Sequence, residues 1–229
     1  MSKKPSKESS EALARETHQF LKIQLVTLCS RWHEYKTLFG YSKERVELLN
    51  ECAGGFFHAV QHAILQQIEL SIVRLIDPAN QSRNENMTFS RLVDLAETVL
   101  QEAQYLHLKH KLEVAHQCSS RLKIRRNKAV AHLDVQAIQS EDEIVFEWPR
   151  IEEVDSSIEV LVDLANDYEQ MSGLPIMSYE LLEPLAGSKA IIDHLENSLR
   201  LKELVSDGTL NLELAYPKRF CSKYSQTTR

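Results

Sequence analysis

The sequence predicts an all-α protein, a bundle of long antiparallel helices with a short irregular or hairpin insertion around residues 136–149. Three observations carry that expectation. Apolar residues recur at three- and four-residue steps along most of the chain, the period that gives a helix one apolar face. Only six glycines and six prolines occur in 229 residues, too few breakers for a fold of many short strands. Hydrophobic residues at 43% and charged residues at 26% are ordinary globular proportions, and the length suffices for a sizeable core.

Taken in order, residues 1–9 are polar and rich in lysine and serine, and read as a flexible N-terminus. From Glu11 to Phe39 the apolar positions Leu13, Phe20, Ile23, Leu25, Leu28, Trp32 and Tyr35 predict a helix that stops at Gly40. Ser42 is placed to cap the next helix, whose stripe runs through Val46, Leu49, Ala53, Phe56, Val60, Ile64, Ile68, Ile72 and Leu75. Gly54-Gly55 is a natural point for a bend or for a close helix crossing. Asp77-Pro78 ends this helix, because proline keeps the preceding residue out of the helical region. A polar loop, "ANQSRNENM", leads to Thr88, the cap of a short helix carrying Phe89, Leu92, Leu95, Ala96 and Val99. One helix is expected over about 102–133, another over 151–171 and a last over about 187–205, followed by a polar C-terminal tail from 207 to 229. Residues 10–206 read as a single helical domain.

Several classes are disfavoured by composition. The four cysteines, at 29, 52, 118 and 221, form no CxxC pair, a spacing unlike a zinc site or a disulfide framework and suited to a reducing compartment. The N-terminus has lysines but no apolar core of a signal peptide, and no run approaches the ~18 apolar residues of a membrane span. A cytoplasmic protein with no membrane partner is expected. Glycine-rich phosphate loops and the GxSxG and HExxH motifs are absent. His58 and His62 share a helix face, but no third ligand stands at convincing spacing, so no metal site is expected. His107, His110 and His116 sit among polar neighbours and read as surface residues. Trp32, Phe56 and Phe57 read as core.

The net charge of −6 hides an asymmetry. Lys109 to Lys128 holds seven lysines or arginines and one acid, whereas Glu141 to Glu169 holds eleven acids and one base. Two solvated faces would account for both runs. The basic run also approaches a helix C-terminus, where the macrodipole attracts cations without any ligand. A phosphate-binding footprint is the alternative.

Within the basic run lies "RRNKAVAH", residues 125–132. Arginine and histidine together supply what metal-free RNA cleavage needs. An imidazole titrating near neutrality moves a proton to or from the 2′-hydroxyl or the leaving oxygen. A guanidinium holds phosphate oxygens in a fork and stabilises developing charge. On a regular helix Arg126 and His132 diverge by roughly 120°, whereas Arg125 lies only about 20° from the face of His132. Spacing therefore nominates Arg125. Ala129 and Ala131 are small enough to let this helix approach another closely, including its copy in a dimer. "RLIDP" places Arg74 and Asp77 one turn apart at a helix C-terminus, where an acid opposes the macrodipole and needs a partner. A local structural pair is one reading; support of Arg126 or His132 is the other.

"RNKAVAH" resembles the Arg-polar-x4-His signature of the HEPN superfamily, helical proteins that include metal-independent ribonucleases. The stretch from "RWHEYKTLFG" to "FSRLVDL" is similar to the N-terminal half of the branch related to abortive-infection phage-resistance proteins. "LLEPLAGSKAIIDHLENSL" is similar to that branch's closing helix, and the matches together touch most of residues 30–205. The resemblance implies a HEPN-like bundle and assigns the motif arginine to Arg126, the polar residue to Asn127 and the motif histidine to His132. It implies a homodimer whose two motifs share one cleft, and 2′-hydroxyl attack without metal or other cofactor. Lys123, Arg125 and Lys128 become candidates for holding the RNA backbone. His132 is followed by Leu133-Asp134 rather than by the tyrosine pattern of HEPN toxins silenced by a nucleotidyltransferase, which weakens that route of control by a neutralising antitoxin. The expected function is an endoribonuclease acting in phage defence or as a toxin. The rivals are a non-catalytic RNA- or protein-binding helical module and a dimerising scaffold.

Overall fold

In the computed structural model, the described residues are 7–81, 84–130, 147–179 and 187–211. They form seven α-helices, two π-helical turns and one two-stranded sheet. The all-α expectation holds. The helices are α1 (Lys7–Tyr35), α2 (Lys43–Ile76), α3 (Phe89–Val99), α4 (Glu102–Cys118), α5 (Ser120–Arg125), α6 (Ile151–Met171) and α7 (Ser188–Ser206). The chain divides into two compact units, one built from Met1–Tyr35 and Val60–Pro184, the other from Lys36–Ala59 and Leu185–Arg229.

The larger unit packs α1 against α3 and α6, and α4 against α3 and α6. Leu21, Leu25 and Leu28 of α1 are buried, as are Ile68 and Ile72 of α2, Phe89 and Leu92 of α3, Leu108 of α4, and Leu161 and Leu164 of α6. Polar contacts fix the directions. His18 and Trp32 of α1 meet Glu169 and Asp155 of α6, at 3.1 and 2.6 Å. Partners thus advance along α1 as they retreat along α6, and the two helices run antiparallel. Lys111 to Asp163 and Arg121 to Glu153 show the same for the α4–α5 stretch and α6.

Helix α1 corrects the expected stripe. Its buried face runs through Ala14, Leu21, Leu25, Leu28, Trp32 and Tyr35, whereas Phe20 and Ile23 are 40% and 54% exposed. The positions taken by Thr17 and His18, both buried, belong to that face although they are polar. In α2 the bend falls at Ala53 (φ −164°, ψ 59°), immediately before Gly54-Gly55. Leaving helical geometry there shifts the apolar register by one residue, so Phe57 is buried and Phe56, expected in the core, is 64% exposed. Downstream the stripe resumes through Ile68, Ile72 and Leu75, all buried. The helix ends at Ile76, before Asp77-Pro78.

Ser42 accepts a hydrogen bond from the Arg45 amide, and the Thr88 hydroxyl accepts one from the Arg91 amide, so both expected caps form. The polar loop after α2 contains a small antiparallel hairpin, β1 (Asn80–Gln81) with β2 (Asn84–Glu85), where no strand was expected. The single helix expected over 102–133 is instead broken at Ser119 and passes from α5 into a π-helical turn, Arg126–Val130. Residues 136–146 of the expected insertion lie outside the described residues. Glu147, Trp148 and Pro149 have no regular structure.

In the smaller unit, Leu38, Leu49, Phe57 and Ile192 form a separate apolar cluster. The Arg45 guanidinium donates to the Thr37 carbonyl at the π-helical turn Lys36–Gly40.

Candidate functional site

The motif arginine is held by the acid that closes α2. Arg126 Nη2 donates to both carboxylate oxygens of Asp77, at 2.9 and 3.1 Å, with both side chains about one-fifth exposed. Each half of this pair answers a need of its own segment. Asp77 follows the last turn of α2, where the macrodipole disfavours a carboxylate, and a guanidinium offsets that. Arg126 opens the widened turn Arg126–Val130. Its Nε is buried and has no hydrogen-bond partner among the described residues. The fork is therefore fixed in orientation, with its Nη1 and Nε hydrogens outside the Asp77 pair.

The other expected residues fall in different places. Asn127 is exposed, and Lys123 and Lys128 are partly buried. His132 lies outside the described residues, as does Ala131. The regular-helix angle that nominated Arg125 does not apply, because the intervening turn is π-helical. Arg125 itself is inside the fold, with 5% of its surface exposed. Its Nε donates to Glu69 Oε1 at 2.8 Å, and its guanidinium lies 4.2 Å from the centroid of the Trp148 ring. His62 meets the same ring edge-on at 4.3 Å. A guanidinium enclosed in this way is not placed to hold an RNA backbone, which corrects the expectation for Arg125. Burial pushes the Glu69 carboxyl up to about 7 against the pull of Arg125 and Arg121.

The charge asymmetry resolves as pairing between the two runs. Lys111 bridges Asp163 and Asp167, His107 bonds to Asp167, and Arg121 spans Glu153 and Glu147. Two of the seven cations of the basic run, Lys111 and Arg121, are thus spent on α6 and its approach, a use that neither the solvated-face reading nor the phosphate reading anticipated.

His116, read from sequence as a surface residue, belongs to this neighbourhood. It is half-buried on α4 and feels both Lys123 and Asp77. Burial and the Lys123 ammonium hold its imidazole below the usual value, with Asp77 opposing. The seven-residue spacing of His116 from Lys123 was no reliable signal, because the helix breaks at Ser119 between them.

Arg74 and Asp77 both line a cleft of about 180 Å³ in the larger unit, between the end of α2, the hairpin and α1. No group of three or more His, Cys, Asp or Glu side chains among the described residues is arranged to hold a metal ion. No helix among them is long and apolar enough to cross a membrane.

A helical bundle with an Arg-x5-His segment anchored to an aspartate is the class defined by this fold and site. The model of the AbiU2 family (HEPN_AbiU2) matches residues 10–184. The chain belongs to that family, a HEPN-type domain related to abortive-infection proteins. The match ends before α7, so the similarity noted for the closing helix lies largely beyond it. No curated protein and no solved structure matches the chain.

Proposed function

We propose that the protein is a metal-independent HEPN-type endoribonuclease acting as a defence effector or toxin. The observation that carries this reading is the clamped arginine: Arg126, the motif residue of a HEPN-family chain, is oriented by Asp77 with donors left over. In the proposed reaction His132 takes the proton of a ribose 2′-hydroxyl. The oxygen attacks the adjacent phosphorus while the bond to the 5′-oxygen of the next nucleotide breaks, and that oxygen takes up a proton. The products are a 2′,3′-cyclic phosphate and a 5′-hydroxyl. Arg126 stabilises the charge on the non-bridging oxygens, a role worth several kcal/mol at sites of this kind. Asn127 adds a hydrogen bond from its exposed position. A homodimer would bring two such motifs to one cleft, and a neutralising protein partner would act by covering it.

Purified protein incubated with RNA and EDTA tests the reading. Cleavage leaving cyclic-phosphate ends, lost in Arg126→Ala and in His132→Ala, is the expected result. Cleavage that disappears on chelation, or that survives either substitution, rejects the mechanism. A second reading, a non-catalytic RNA- or protein-binding module, draws on the engagement of Lys111, Arg121 and Arg125 in internal ion pairs. It expects equal RNA binding by wild type and His132→Ala, with no cleavage by either.

A further inference from the structure

The cleft beside Asp77 contains a combination of groups that packing alone does not require. Phe20, the aromatic residue that broke the expected stripe of α1, is 40% exposed and forms part of its wall. Gln24 stands one helical turn further along α1, and Gln81 and Asn86 face the cleft from the hairpin side. Arg74 and Asp77 complete it from the end of α2. The side chains of Gln24, Arg74 and Gln81 enter no hydrogen bond or ion pair among the described residues. An exposed aromatic face together with uncommitted amides is the equipment used to take up an unpaired nucleobase.

Size and charge narrow the occupant. A cavity of about 150 Å³ admits one benzene ring, so a cleft of about 180 Å³ suits a single ring system rather than a whole nucleotide. The negative end of the α2 dipole and the Asp77 carboxylate both disfavour an anion inside. The opposing helix end, that of α3, is already satisfied by the Thr88 hydroxyl. A neutral ring carrying N–H donors therefore fits better than a phosphate. Arg74 is exposed at the end of α2 and can take the phosphate attached to such a ring.

We propose that this cleft is a nucleobase subsite for a single-stranded RNA. The base stacks on Phe20, its edge is read by Gln24 and Gln81, and Arg74 holds the adjoining phosphate. The inference rests on the ribonuclease reading and deepens it, because Asp77 is shared between the cleft and Arg126. A base seated there puts its strand within reach of the motif arginine.

Binding separates this inference from the reading beneath it. His132→Ala protein, unable to cleave on the ribonuclease reading, is titrated with fluorescent homopolymeric RNAs and with free nucleoside monophosphates. The expected result is tighter binding of one homopolymer, with monophosphates far weaker. Phe20→Ala should weaken that binding by roughly 5- to 150-fold, the range of one lost base stack. Gln24→Ala should flatten the preference among homopolymers. Both positions are exposed, and circular dichroism serves as the folding check. In the parent protein, the same two substitutions should redistribute the cleavage sites read by end-sequencing. Unchanged affinity and preference in both variants overturns the subsite, even if the protein cleaves RNA. Monophosphates binding as tightly as the strand also overturns it, by identifying a free nucleotide as the occupant. Absence of cleavage with the binding pattern intact overturns the ribonuclease reading and leaves the subsite standing.

Discussion

Arg126 and Asp77 are joined through a single nitrogen, Nη2, which donates to both oxygens of the carboxylate. The pair couples the end of α2 to the start of the π-helical turn, so the pose of the motif arginine depends on a residue far away in sequence. Asp77 is expected to act as a positioning residue. Asp77→Asn keeps one acceptor but loses the charge, and Asp77→Ala loses both. A small displacement of a group that stabilises a transition state can cost ~10²-fold. Asp77→Ala should therefore lower RNA cleavage by about that factor, with Asp77→Asn intermediate. Because both partners are partly solvated, the stability cost should stay near ~1 kcal/mol, a Tm shift of about 2–4 °C. Steady-state cleavage and thermal melts check this together. Full activity in Asp77→Ala, or a protein that no longer folds, would show that the pair has no positioning role.

Arg125 illustrates the opposite assignment. Its ion pair with Glu69 is buried on both sides, and one oxygen of Glu69, Oε2, has no partner among the described residues. Breaking a buried pair from one side strands its partner, here as an unpaired buried carboxyl, at a cost of up to about 3–5 kcal/mol. Arg125→Ala should therefore lower the urea midpoint or the Tm sharply. Loss of the guanidinium from the Trp148 face adds to the effect. If Arg125→Ala melts like wild type and loses only RNA affinity, the structural assignment is wrong.

Pairing within the basic run also sets a salt dependence. Seven phosphate contacts to a single strand would give a slope of log K against log salt of roughly −5, at about −0.7 per contact. Lys111, Arg121 and Arg125 are engaged with acids of the same chain. RNA binding should therefore show a slope of only roughly −2 to −3, measured by titration across a range of sodium chloride. A slope near −5 would mean that RNA displaces these internal acids, Glu69 of α2 as well as those of α6.

These cases show where sequence reading succeeds and where it stops. Helix α6 and the end of α2 at Asp77-Pro78 were legible because periodicity and proline act locally. The need of Asp77 for a partner was legible too, since a helix end is a local electrostatic fact. Which cation would answer was not legible, because Arg125 and Arg126 are adjacent and only packing sends one inward and the other to Asp77. Phe20 and Phe56 were misplaced for a related reason. An apolar side chain one position off the buried face keeps the helical period approximately, and only the fold shows which neighbour turns inward. The bend at Ala53 falls beside Gly54-Gly55, where the glycines pointed, but the register change that it imposes could not be read from them. His116 was passed over because its significance comes from Asp77, which is remote in sequence.

The buried cluster at His18 gives a pH prediction. His18 Nε2 lies 3.1 Å from Glu169 Oε1, and the Lys22 ammonium lies 3.1 Å from the same oxygen. The ring of Tyr168 covers the imidazole at a centroid distance of 5.3 Å. Burial holds the His18 imidazole below its ordinary value of 6.5, outweighing the pull of Glu169, with Lys22 acting in the same direction as burial. The folded protein thus resists taking up a proton that the unfolded chain accepts. Where the unfolded state binds more protons, stability rises with pH. The contribution of His18 is therefore intact above the unfolded value near 6.5 and is lost as pH falls from there toward the lower folded value. His116 adds to this loss. Glu69, raised from 4.5 to about 7, works the other way, with stability declining as pH rises through that interval. Replacing His18 by Gln removes one of the acid-side contributions while keeping an amide that can donate to Glu169. Melting temperatures at pH 5.5 and 7.5 should differ less, in the acid-destabilising sense, for His18→Gln than for wild type. An identical pH difference in the two proteins would show that His18 binds its proton equally well in the folded and unfolded chain.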